Sequence, residues 1–74
     1  MNRVKLYQKC YDRIGMTVIE KKNMKTGILN SFEVIDNPDG SLSVFYIVGF
    51  ENENSMWLEK HHESNIVLMK GTEL

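Results

Sequence analysis

The feature that most limits what this chain can fold into is a pair of alternating apolar runs, Gly27 to Ile35 and Leu42 to Phe50, that meet at Asn37-Pro38-Asp39-Gly40. Pro38 pre-sets φ at the second turn position, Asp39 tolerates the third, and Gly40 supplies the positive φ of a bulged hairpin loop. Counting outward from the turn pairs Val34 with Val44, Phe32 with Tyr46 and Ile28 with Phe50, so the apolar sets of both strands share one face. On the second run the even positions, Leu42, Val44, Tyr46, Val48 and Phe50, are all apolar, as a core-facing strand requires. Phe45 and Ile47 emerge on the opposite side, so the outer face of this ribbon also needs a cover. Gly49 falls where the strand must coil sharply.

Seventy-four residues make one domain with a small core. The single cysteine, Cys10, forms no internal disulfide, and two adjacent histidines fall short of a structural zinc site. Oligomerisation is the remaining staple, and a homo-oligomer is expected. No cofactor and no metal is expected. The charged, interrupted N-terminus does not read as a signal peptide and no apolar run reaches membrane-spanning length, which predicts a soluble, cytoplasmic protein with no membrane partner.

Around the hairpin the elements follow from periodicity. Val4, Tyr7, Tyr11 and Ile14 recur at helical spacing, widened on one side by Leu6 and Cys10, and Gly15 suits a C-terminal cap. This predicts a helix of about three turns over Asn2 to Ile14, with a strand over Arg3 to Tyr7 as the competing reading. Its apolar stripe suits the outer side of the hairpin, or a second copy. Met16 to Lys22 reads as a strand and Lys21 to Lys25 as a basic loop; Met56 to Glu59 is a short strand with Met56 and Leu58 inward and Trp57 and Glu59 outward. Lys60 to Ser64 reads as one helical turn and Ile66 to Met69 as a closing strand.

Strand Val48-Gly49-Phe50-Glu51, strand Ser55-Met56-Trp57-Leu58-Glu59, turn His61-His62-Glu63 and closing strand Ile66-Val67-Leu68 together resemble the SH3-like barrels, in particular their Tudor-like and KOW-like branch, over about residues 16–69. The resemblance implies a mainly β fold: a small five-stranded SH3-like barrel over residues 16–74, with the N-terminal amphipathic helix of residues 1–15 packed on it as part of a single domain. It also implies a binding module without shared catalytic apparatus. The first loop, Lys22-Asn23-Met24-Lys25, carries no ring, so an aromatic cage for methyl-lysine is not expected.

Charge is distributed unevenly. Residues 1–25 hold seven basic side chains against two acidic ones, a net of +5, while residues 26–74 hold two against eight, a net of −6. Lys9, Arg13, Lys21, Lys22 and Lys25 form the candidate phosphate or nucleic-acid set, although the rings near them, Tyr7 and Tyr11, belong to the helical stripe. His61 and His62 beside Glu59 and Glu63 offer ligand chemistry, but neighbours in a turn rarely converge on one ion. Cys10 has basic neighbours but reads better as a small buried residue. Glu51, Glu53 and Glu59 lie on a loop and a strand edge, unsuited to paired acid and base work. An enzyme is therefore not expected. Phe45, Ile47 and Trp57, with Tyr7 and Tyr11, are the candidate protein-interface residues, either bare as a patch or covered by the helix.

The expected function is that of a non-catalytic protein-binding or self-associating module of the kind that phages and mobile elements use as accessory proteins against a host factor. Nucleic-acid binding through the basic N-terminal third is one alternative. An oligomer that sequesters a phosphate-bearing small ligand is the other.

Overall fold

The middle strand carries the architecture. In the computed structural model, which describes residues 3–69, β3 (Leu42–Glu51) lies between β2 (Lys25–Asp36) and β4 (Met56–His62), while β1 (Thr17–Glu20) and β5 (Ile66–Leu68) extend the sheet beyond β2. All five strands form one antiparallel sheet in the order β4-β3-β2-β1-β5. Helix α1 (Arg3–Arg13) precedes β1, and a 3-10 turn, Glu63–Asn65, links β4 to β5. The chain is thus mainly β with an N-terminal helix, and β4 and β5 form the two edges of a sheet that backbone pairing does not close into a barrel. The expected helix start at Asn2 and the far end of the 16–74 unit fall outside the described residues.

The hairpin turn forms as its chemistry dictates. Gly40 takes φ +89° and its N–H donates to the Asn37 carbonyl at 2.9 Å, while the Asp39 carboxylate accepts from the Ser41 N–H at 2.9 Å. Val34 pairs with Val44 and Phe32 with Tyr46, as counting from the turn requires.

The expected pairing of Ile28 with Phe50 does not hold. A β-bulge between Leu29 and Ser31 shifts the register, so Ile28 pairs with Gly49 and Leu29 takes the buried place opposite Val48. The cause is long-range: the Leu29 N–H donates to the Met16 carbonyl at 2.9 Å, and the Leu29 carbonyl accepts from Gly15 at 2.8 Å. The helix-to-β1 connection therefore holds both backbone groups of Leu29. Gly27 is needed here, because a Cβ on it would lie 2.7 Å from both the Gly49 carbonyl oxygen and Val48 Cγ1.

Val44, Tyr46, Val48 and Phe50 of β3 form one buried row, joined by Val18, Leu29 and Ile66, and this defines the inner face. The helix covers that same face. Leu6 and Cys10 complete the core, whereas Val4, Tyr11 and Ile14 stay exposed. Two expectations are thereby corrected: α1 does not lie over Phe45 and Ile47, and its buried side is the flank of the predicted stripe. Leu6 and Cys10 stand one turn apart, and Cys10 is small enough for close approach to the sheet. The two tyrosines set their rings edge-on against Phe32, with centroids 5.6 Å away for Tyr7 and 5.0 Å for Tyr11. At the helix end, Gly15 adopts φ +95° and Arg13 Nη1 donates to the Tyr46 hydroxyl at 2.5 Å.

The facing of β4 also reverses the sequence expectation. The loop between β3 and β4 closes by Asn52 N–H to Ser55 carbonyl at 2.9 Å, with the Asn52 side chain accepting from the Asn54 and Ser55 amides. That closure pairs Glu51 with Met56 and Phe50 with Trp57. Opposed residues share a face, so Trp57, Glu59 and His61 belong to the inner side and Met56, Leu58, Lys60 and His62 to the outer one.

Candidate functional site

Two clusters concentrate chemistry, one on each face. On the inner face, Glu20 at the end of β1 is fully buried. Its carboxylate accepts from the Lys22 N–H at 2.8 Å, the Asn23 N–H at 3.1 Å and Asn65 Nδ2 at 2.9 Å. Burial works against the charge, but the hydrogen bonds from Asn65, Asn23 and Lys22, with His61 nearby, outweigh it and hold the Glu20 pKa below the usual carboxylate value. Asn65 also meets His61 Nδ1 at 3.0 Å, and His61 Nε2 meets Glu59 Oε1 at 2.8 Å. Glu59 Oε2 further accepts from Lys25 Nζ and from Trp57 Nε1, each at 2.7 Å. Three donors, Lys25 foremost, then His61 and Trp57, pull the Glu59 pKa down to about 2.

Lys25 Nζ stands 4.6 Å from the centroid of Phe50 and 5.9 Å from that of Trp57, so its ammonium is held by rings and carboxylate together. The chain of contacts from β2 through β4 to the 3-10 turn and β1 ties edge strand β4 to β1 with side chains where the backbone leaves them apart. Among the described residues no buried side-chain nitrogen or oxygen lacks a hydrogen-bond partner. Every acid in the cluster is thus occupied by a donor of the chain itself, an arrangement suited to bracing the fold.

The outer face carries an apolar groove at one end and the pair of Lys60 with Glu33 farther along, and no element lies over it among the described residues. Ile28 on β2, Gly49 on β3 and Leu58 on β4 form one cross-sheet row, continued by Thr17 on β1. The missing side chain at Gly49 leaves a groove of about 580 Å³ whose walls include Thr17, Ile28, Met56 and Leu58, with Glu51 at its end. Ile28 is 48 % exposed, Leu58 60 % and Met56 78 %. Farther along the same face Phe45 and Ile47 are half-buried. Their cover comes from β4: the His62 ring meets Phe45 edge-on at 5.2 Å, Lys60 Nζ stands 5.7 Å from the Phe45 ring, and Ile47 pairs with Lys60. Lys60 also pairs with Glu33 across the sheet at 3.0 Å.

No family model, curated protein or solved structure matches this chain. The assignment of function therefore rests on these two faces.

The predicted interface set divides. Phe45 and Ile47 are on the outer face, Trp57 is on the inner face against Phe50 with centroids 6.0 Å apart, and Tyr7 and Tyr11 are on α1 against Phe32. The single patch expected of Phe45, Ile47 and Trp57 does not form, because β4 has the opposite facing.

The predicted basic set divides as well. Arg13 and Lys9 line a groove of about 610 Å³ between α1 and the hairpin, which also contains Arg3, Asp36 and Glu63, and Arg3 pairs with Asp36 there. Lys21 and Lys22 lie in the turn after β1, at its far end from Arg13, and Lys25 is turned onto Glu59. His61 and His62 project to opposite faces, His61 paired with Tyr46 and His62 with Phe45. Cys10 is wholly buried, and that burial raises its thiol pKa.

Sequence reasoning missed Glu20, Asn65 and the groove residues Ile28, Met56 and Leu58 as outward-facing. For Glu20 a signal existed: it shares the parity of Val18 and directly precedes a turn whose amides need an acceptor.

Proposed function

We propose that this chain is a non-catalytic protein-binding module that docks through the outer face of its sheet. The observation that carries this reading is the cross-sheet row of Ile28, Gly49 and Leu58, with Met56 beside it, exposed on the side away from the helix. An apolar groove with a polar rim is the anatomy of a protein interface, and a small domain seldom exposes such a surface without a use for it. The inner-face carboxylates support the non-catalytic part of the reading, since Glu20 and Glu59 already have their accepting positions occupied by side chains and amides of the fold. The element order supports an SH3-like architecture as the underlying scaffold: antiparallel pairing from β4 to β1, then a 3-10 turn that returns β5 to the far side of β1.

The test replaces Ile28 and Leu58 together by lysine. Both positions are exposed in the single chain, so at a dilution where the wild type is monomeric the circular dichroism spectrum should stay unchanged and the melting temperature should move by only a few degrees. Uptake of the apolar dye bis-ANS, measured at a dilution where the wild-type chain sediments at single mass so that no second copy hides the face, should fall severalfold. Unchanged dye uptake in a folded double variant would remove the outer face as the docking surface.

A further inference from the structure

We propose that the occupant of the outer face is a second copy of this chain, related by a two-fold axis that runs parallel to the strands near β2. The inference rests on the docking reading above and names its partner.

Shape limits which surface can serve. The molecule measures 42 × 30 × 17 Å. A stable interface takes about 800 Å² from each partner, which the ~1,260 Å² outline of a broad face accommodates and the ~500 to ~700 Å² outlines of its sides do not. One broad face is occupied by α1, whose Leu6 and Cys10 fill the core. The outer face is the other. Need points the same way: nine apolar residues form the buried core of the described chain, and its one cysteine is buried and free, so neither a large core nor a disulfide stabilises it.

Charge then selects the arrangement. The turn between β1 and β2 carries Lys21 and Lys22, and the loop between β3 and β4 follows Glu51 and carries Glu53. Antiparallel order puts both at the same end of the sheet, the basic turn on the β1 side of β2 and the acidic loop on the β4 side. Rotation about an axis along the strands exchanges those sides. Each acidic loop then lies over the partner's basic turn, twice per dimer, and the sheets stack with their strands aligned. Rotation about an axis across the strands would instead bring Glu51 and Glu53 toward Asp39 at the hairpin end, a contact between like charges. On the central strand β2, Ile28 and Glu33 come nearest to their own copies, with the Glu33 charge held by Lys60 of the same chain at 3.0 Å.

Sedimentation equilibrium of the full chain at tens of micromolar should give twice the chain mass. The variants Glu51→Lys/Glu53→Lys and Lys21→Glu/Lys22→Glu should each be monomeric or at least tenfold weaker in self-association, and mixing them should restore a dimer that contains one of each. Ile28→Cys should cross-link to itself with a short bis-maleimide reagent that spans the roughly 10 Å between stacked sheets, and Val4→Cys on the helix should not. A wild-type chain that stays at single mass overturns the proposal, as does a dimer whose charge-reversed variants fail to complement. These outcomes are separate from the docking reading, which stands or falls on the dye uptake of the Ile28→Lys/Leu58→Lys variant.

Discussion

The bulge at Asn30 makes a prediction about adjacent residues that a plain strand would reverse. Straight alternation from the Asn37 to Gly40 turn would put Ile28 in the core and Leu29 in solvent; the bulged register does the opposite, leaving Leu29 without exposure and Ile28 48 % exposed. A fully buried leucine truncated to alanine loses its transfer free energy and leaves a cavity, together about 2–5 kcal/mol. Ile28→Ala removes a half-exposed side chain and should cost about 1 kcal/mol or less. At roughly 0.05–0.15 kcal/mol per residue a domain of this size holds only ~4–11 kcal/mol, so Leu29→Ala removes a large share of the total. Its melting temperature should fall by 10 °C or more, given about 4–8 °C per kcal/mol at this length. The assay is urea unfolding at a dilution where the chain is monomeric, followed by tryptophan fluorescence, with Leu29→Val as the milder variant if the alanine chain does not fold.

Deletion of Asn30 completes the test. It removes the extra residue without disturbing any observed pair, from Ile28 with Gly49 and Leu29 with Val48 to Ser31 with Ile47. Loss of a residue from mid-strand should therefore be tolerated, with a cost of ~1–2 kcal/mol from the altered strand twist. Equal costs for Leu29→Ala and Ile28→Ala, or a deletion that unfolds the chain while Ile28→Ala proves the more damaging substitution, would refute the bulged register.

Other consequences follow from single positions. Gly27→Ala should cost about 1–3 kcal/mol by urea unfolding, because the added carbon meets the Gly49 carbonyl and Val48 at 2.7 Å and the Phe50 ring at 2.8 Å. Met24 adopts φ +56° in the turn after β1, a conformation that side-chain-bearing residues disfavour; Met24→Gly should raise the melting temperature, with a gain of about 0.5–1 kcal/mol, and a loss would contradict the strain argument. Glu59 titrates near 2 in the fold, against 4.5 ordinarily, so its contribution is complete above pH 4.5 and disappears as the pH falls toward 2. Glu20, also lowered, acts in the same direction. Melting temperature should accordingly drop across that window, and Glu59→Gln should flatten the drop while lowering stability at neutral pH.

What the sequence determined by itself is the part of the fold set by contacts close in the chain. The Asn37-Pro38-Asp39-Gly40 turn specifies its own backbone, and the unbroken even-position row on β3 specifies one buried face, Val44, Tyr46, Val48 and Phe50. The helix, its stop at Gly15 and the order of five strands also follow from local periodicity and breakers. Tertiary structure decided which of two plausible faces each remaining element turns inward. Leu29 displaces Ile28 because Gly15 and Met16, distant in sequence, bond its backbone. Trp57 turns inward because the Asn52 to Ser55 loop fixes the pairing of Glu51 with Met56, whatever the apolarity of β4 suggests. The proposed docking surface belongs to this second class. Alternation reports that a strand has two faces, but only the partners across the sheet, here Ile28, Gly49 and Leu58 in one row, show where an apolar side is left uncovered.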